Sequence, residues 1–90
     1  MSKIADHLQG LSDELAHELA EAFPRTCGDE PALVADVIFS DLVEGRAETA
    51  ARCVALARAG HRRNGDAEGL RRVERIARDL EPWLDLEAVA

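Results

Sequence analysis

There is no tyrosine among the 90 residues, and only two phenylalanines and one tryptophan. A chain so poor in rings builds a thin core. It also lacks the aromatic residues that interleave with basic ones in proteins that grip single-stranded nucleic acid. Two cysteines, Cys27 and Cys53, are too few and too far apart for a disulfide framework or a zinc site. No run of 18 apolar residues occurs, which excludes a transmembrane helix. Met1-Ser2-Lys3-Ile4-Ala5-Asp6 has no basic region followed by an apolar stretch, so no secretory signal is read there and a cytoplasmic location is expected. A glycine-rich phosphate loop, a nucleophile elbow and a clustered Ser/His/Asp set are missing as well. His7, His17 and His61 have no nucleophile beside them in sequence. The expectation is a protein that is not an enzyme and needs no cofactor or metal.

What the chain does have is alanine, arginine and a charge that is split along its length. Residues 1–50 hold 11 acidic and 3 basic side chains, a balance of −8. Residues 51–78 hold eight arginines against Asp66, Glu68 and Glu74, a balance of +5, and residues 79–90 return to −4. The sum is −7. Two electrostatic faces favour surface recognition over chemistry. The composition is 47% apolar, enough to fold. A single domain of this length buries only about 60–65% of its unfolded surface, and much of the apolar content is alanine. Both point to a dimer or to a bound partner. The frequent Ala, Arg and Gly suit a GC-rich bacterial or phage genome.

Apolar spacing predicts four helices and no sheet, a small antiparallel four-helix bundle over residues 1–90 with a short C-terminal tail at 82–90. The first helix runs over about 3–23, where Ile4, Leu8, Leu11, Leu15, Leu19 and Phe23 recur every three or four residues. Gly10, followed by Ser12-Asp13-Glu14, is a candidate break, and Pro24 ends the helix. Arg25–Pro31 reads as a loop, with Asp29 or Glu30 as cap and Pro31 at the first helical position. The second helix, about 31–44, is apolar nearly all round except at Asp36, Ser40 and Glu44. That pattern predicts a buried, central element. The third, about 46–59, carries Ala47, Ala50, Ala51, Val54 and Ala57 on one face and is expected to end at Gly60. Residues His61–Gly65 read as a turn, and Asp66 as the N-cap of a fourth helix over about 67–81. Pro82 is expected to stop that helix, leaving Trp83, Leu84 and Leu86 to fold back on the bundle.

Three groups carry candidate chemistry. Glu14 and His17 have the Glu-x-x-His spacing of a diiron ligand pair, but His17 falls off the leucine stripe and no second such pair exists, so a solvated polar face is the better reading. Cys27 lies in a loop before a helix start, a place that can lower a thiol pKa. Cys53 reads as a small core residue, and the antiparallel arrangement keeps the two cysteines apart. The third group is the arginines. Arg58, His61, Arg62 and Arg63 surround one turn, and Arg71, Arg75 and Arg78 line one face of the fourth helix. A DNA-reading helix-turn-helix is not recognisable around them.

Two short stretches resemble known families. Gly65-Asp66, Ala77, Leu80 and Pro82 fall at the spacing of tetratricopeptide repeats, without a second repeat. Leu11–Pro24 (LSDELAHELAEAFP) looks like the first helix of bacterial death-like, effector-associated domains, a likeness compatible with a homotypic interaction module. Neither amounts to a family assignment. The reading taken from the sequence is a non-enzymatic protein–protein interaction module: an adaptor, an inhibitor or a regulatory subunit. Leu8, Leu11, Leu15 and Leu19 are its apolar stripe. Arg58, Arg62, Arg63, Arg71, Arg75 and Arg78 are its basic face. Its partner is another protein or a second copy. The alternatives are a nucleic-acid-associated regulator that adds Arg72 to that face, an acidic mimic of a phosphate backbone, and a Glu-x-x-His metal protein.

Overall fold

The computed structural model describes residues 3–24 and 31–89, with side chains to Leu84. It consists of four helices, α1 (Lys3–Ala22), α2 (Pro31–Val43), α3 (Glu48–Asn64) and α4 (Ala67–Val89), with no strand among the described residues. The helical bundle expected from apolar spacing is the fold of this chain. Of the expected loop at Arg25–Pro31, Pro31 is the first residue of α2, as its place at a helix start implied; residues 25–30, with the Asp29 or Glu30 cap and Cys27, and the Leu86 side chain lie outside the described residues and side chains.

The central helix is α1, not α2, and it touches each of the other three. Its spacing explains this. Leu8, Leu11, Leu15 and Leu19 are at most 4% exposed, and Ser12, Ala16 and Ala22 widen the buried side of the helix beyond one stripe. The helix is continuous through Gly10. Ser12, buried, donates its hydroxyl to the Leu8 carbonyl at 2.7 Å instead of capping a new helix. In α2 only Ala35, Ile38 and Leu42 are buried, all on the side against α1. Nothing among the described residues covers the opposite side. The expectation of a buried second helix is therefore corrected: Leu33, Val37 and Val43 are exposed, and Val34 and Phe39 are only half-buried at the edge of the core.

Two glycines set the corners. Gly45 has φ 82° and Gly65 φ 69°, a region that side chains with a Cβ avoid. At the first corner the Gly45 amide bonds to Leu42 O and the Arg46 amide to Asp41 O. At the second, the Gly65 amide bonds to Arg62 O and the Asp66 amide to His61 O. Each is a Schellman motif that satisfies the last carbonyls of its helix. The third helix thus ends five residues later than Ala59, and Gly60 is interior. It is a glycine for another reason: a Cβ there would lie 2.7 Å from the Ala22 Cβ and 3.0 Å from the Phe23 ring. At this point α1 and α3 approach with no room for a side chain.

Asp66 is the N-cap of α4, accepting from the Gly69 amide at 2.9 Å. The helix does not stop at Pro82 but carries it inside. Proline removes the bond to the Arg78 carbonyl. Pro82 is exposed, so water can take that bond's place, while Trp83 and Leu84, half-buried, pack against the core and hold the helix beyond it. Trp83 also meets the His7 ring of α1, with centroids 5.6 Å apart. Residues 82–89 are therefore the last turns of α4 rather than a tail. The core is leucine and small residues. Alanines 16, 22, 35, 47, 50 and 57 are buried within it, while Phe23, Phe39 and Trp83 sit half-buried at its edge.

Candidate interaction surface and a buried charged network

Much of the charge split is resolved inside the molecule. Arg72 Nε donates to Glu18 Oε2 at 2.7 Å, and its second nitrogen reaches Glu21 at 2.8 Å. Arg75 donates to Glu14 at 2.8 Å. These bonds tie α4 to α1, the basic half of the sequence to the acidic half. Arg58 on α3 makes a two-pronged pair with Glu74 on α4 at 2.6 and 2.8 Å. That hydrogen bond holds the Glu74 carboxyl below its ordinary range and raises the Arg58 guanidinium. The hydrogen bond from Arg72 to Glu18 likewise raises Arg72.

Glu18 is the unusual member. It shares the buried side of α1 with Leu15 and Leu11, three and seven residues away, and is 6% exposed. His61 is 1% exposed on the inner side of α3, four and seven residues beyond Ala57 and Val54. Its Nε2 donates to Glu18 Oε1 at 2.8 Å. Its Nδ1 is buried without a hydrogen bond, 3.4 Å from an Asp66 carboxylate oxygen. Gly69 makes room for this ring, since a Cβ there would lie 2.7 Å from Nδ1. A buried carboxylate needs a cation or several donors, and here it has both.

Glu18, Glu21 and His61 together have the donor types and closeness of a metal-ligand set. The Arg72 guanidinium already bonds both carboxylates, so the charge a metal ion would supply is present as a side chain. Glu14 and His17 do not form a site: Glu14 is paired with Arg75, and exposed His17 bonds the Asp13 carbonyl at 3.1 Å. An open groove is lined by Asp6, His7, Gly10, Leu11, Glu14, Arg75 and Asp79, and two of these, Glu14 and Arg75, are bonded to each other.

The leucine stripe expected to meet a partner is spent on the chain's own core. Leu8, Leu11, Leu15 and Leu19 are all buried against α2, α3 and α4. The basic face is divided. Arg58 and Arg75 are occupied by Glu74 and Glu14, whereas Arg62, Arg63, Arg71 and Arg78 are exposed and, like Arg52, form no ion pair among the described residues.

The exposed large hydrophobics lie elsewhere. Among the described residues they are Ile4, Leu33, Val37, Val43 and Leu56, and all but the first are on α2 and α3. Leu33 is 59% exposed, Val37 55%, Val43 57% and Leu56 47%. On α2 they flank the polar line of Asp36, Ser40 and Glu44. The corner beside them is pinned by Asp41, which accepts from Thr49 and from Arg46 at 3.0 Å. The Thr49 bond, with Arg46 behind it, lowers the Asp41 carboxyl below its ordinary range. Sequence reasoning missed this surface because apolar residues on nearly every side of α2 read as burial. The signal was the polar line itself: it marks the outward side, and Leu33, Val37 and Val43 lie within a turn of it.

No family model matches the chain, and no curated protein or solved structure matches it. Among the described residues, no helix is long and apolar enough to cross a membrane.

Proposed function

We propose that the chain is a non-enzymatic protein–protein interaction module whose docking surface is the outward side of α2 with the adjoining edge of α3. The observation that carries this reading is the exposure of Leu33 and Val37 on α2 and of Leu56 on α3, each about half exposed or more; Val37 lies one turn before Asp41 and Leu56 two turns after Thr49, the bonded pair that marks the edge the two helices share. Scattered surface leucines are ordinary, whereas a group on one side of a small domain marks a binding site. The surface is helical and rimmed by charge, the form that accepts a partner helix or helix pair. Adaptor, inhibitor and regulatory subunit all remain compatible with such a surface.

The nucleic-acid reading is weaker on this geometry. Arg58, Arg72 and Arg75, three of the seven arginines it would use, are engaged by carboxylates of the same chain. The remaining four lie on a molecule of net charge −7. The acidic-mimic reading loses Glu14, Glu18 and Glu21 in the same way.

The test is affinity capture with two forms of the purified chain from cells that express it, the wild type and Leu33→Asp/Val37→Asp. Both positions are exposed, so the double variant should keep the wild-type circular dichroism. Proteins retained by the wild type and released by the variant are the expected result. An identical retained set would remove this surface from consideration.

A further inference from the structure

The arginines among the described residues fall into two groups. Arg46, Arg58, Arg72 and Arg75 are paired with carboxylates of the same chain. Arg52, Arg62, Arg63, Arg71 and Arg78 are exposed and form no ion pair among the described residues. Carboxylates to pair them are not scarce, since the sequence has 18 acidic side chains against 11 basic ones. What leaves these arginines unpaired is their placement, and three of them are placed together.

The place is the seam between α3 and α4. The two helices pack against each other from their common corner, and Arg58 bonds Glu74 across them. Arg62, four residues after Arg58, and Arg71, three before Glu74, are each one turn nearer the corner. Arg78, four residues after Glu74, is one turn farther from it. Arg62 and Arg78 stand close enough to Glu74 to hold its carboxyl down together with Arg58. Four guanidinium groups thus share one carboxylate, a balance of +3 on a chain whose total is −7. Their mutual repulsion is relieved by any further anion brought to the seam. The surface beside them is low: Ala51 and Ala55, seven and three residues before Arg58, are exposed on its side of α3.

The basic strip is short. Arg71 and Arg78 are seven residues apart, two turns or about 10 Å. Acidic side chains close it at both ends. Exposed Glu68 precedes Arg71 by three residues, and exposed Glu81 follows Arg78 by three, at the end where exposed Glu48 opens α3. A nucleic-acid duplex carries a charge about every 1.7 Å of its axis and would run past both ends into these carboxylates. A helix with carboxylates at i and i+7 presents them at the spacing of the arginines, and the small alanines let it lie close. We infer that the seam of α3 and α4 is a docking site for an acidic helix of another protein, its carboxylates received by Arg62 and Arg71 at one end and by Arg78 at the other. Guanidinium groups suit this role because they meet carboxylates with two parallel bonds. The site is separate from the outward side of α2, and neither depends on the other.

The probe is a fluorescein-labelled, alanine-rich peptide helix with glutamates at i and i+7; the same peptide with glutamines is the control. Its fluorescence anisotropy is followed as the whole chain is added at low salt. Saturable binding of the glutamate peptide, none of the glutamine peptide, and weakening with added salt are expected. Arg62→Gln/Arg78→Gln should weaken binding at least about tenfold. Arg52→Gln/Arg63→Gln removes the same charge from positions at least a third of the way round α3 from Arg58, and should weaken it by less than about twofold. Circular dichroism checks that both variants, altered only at exposed positions, are folded. A wild type that does not bind the glutamate peptide, or binds both peptides alike, overturns the inference without recourse to any variant. Equal weakening by the two double variants also overturns it, since overall charge would then be the cause. A short labelled DNA duplex bound more tightly than the glutamate peptide overturns it in favour of nucleic acid.

Discussion

Replacing Gly60 and Gly10 in turn by alanine should shift stability in opposite directions, although both glycines are inside helices. Alanine is favoured over glycine in a helix by about 1 kcal/mol. At Gly10 a Cβ meets nothing within 4 Å, so Gly10→Ala should keep that gain. At Gly60 the new Cβ would stand 2.7 Å from the Ala22 Cβ and 3.0 Å from two Phe23 ring carbons. Ordinary carbon contacts are about 3.5–4.0 Å. The Phe23 ring can tilt, but the Ala22 Cβ is fixed to the α1 backbone. The two helices must therefore separate by most of about 1 Å at the centre of the fold. Overpacking of this kind costs about 1–3 kcal/mol, and the rigid neighbour places it at the upper end. After the helical gain, Gly60→Ala should lose about 2 kcal/mol, making the two variants differ by about 3 kcal/mol. For a domain of this size the thermal midpoints, followed by circular dichroism at 222 nm, should differ by on the order of 15 °C. Adding Ala22→Gly to Gly60→Ala should recover part of the loss. Equal midpoints for the two single variants would mean that α1 and α3 do not approach as described.

The charged network makes further tests. Glu18→Ala strands the His61 Nε2 and an Arg72 donor and should cost about 2–4 kcal/mol in urea unfolding, whereas Glu21→Ala, exposed, should cost less than about 1 kcal/mol. The Arg58–Glu74 pair has a defined pH signature. Because Glu74 titrates below its ordinary value of 4.5 in the folded chain, its contribution is fully present above that value and is lost as pH falls through the lower folded one. Glu74→Gln should therefore be less stable than wild type at neutral pH, and the gap should close in acid; a constant gap would exclude the pair as its cause. Gly65→Ala forces a Cβ into the left-handed region and should cost about 1–2 kcal/mol in the same unfolding assay.

The readings that survived from sequence were those with a local cause. Leucines at spacings of three and four placed α1, and Asp66 capped α4 because a carboxylate one residue before a helix has free amides to bond. Gly45 marked a corner that only a glycine adopts easily. Readings that depended on neighbours in space fared differently. Gly60 and Gly65 are both glycines near the end of α3, and only the position of α1 tells which is the cap and which is the contact. Pro82 breaks an isolated helix, but here Trp83 and Leu84 are packed on the core and hold the helix past it. Leu15 and Val37 are both apolar helical residues, and the chain buries the first and exposes the second. Glu18 belonged by spacing to the buried side of α1, yet its charge alone suggested a surface. The candidate surface was thus the least legible part, since it is defined by which side of α2 nothing covers.

The bonds from α4 back to α1 span 51 to 61 residues of chain. Helices can form locally and early, but these bonds and the leucine contacts behind them wait on closure of long loops, which is entropically slow. Until α4 arrives, Glu18 has no Arg72 beside it and the buried side of α1 is only partly covered. The bundle should therefore assemble in a single cooperative step in which α1 is sealed at the end. A chain interrupted within α4 would present Leu8, Leu11 and Leu15 to whatever stands nearby, as a sticky intermediate rather than a smaller folded domain.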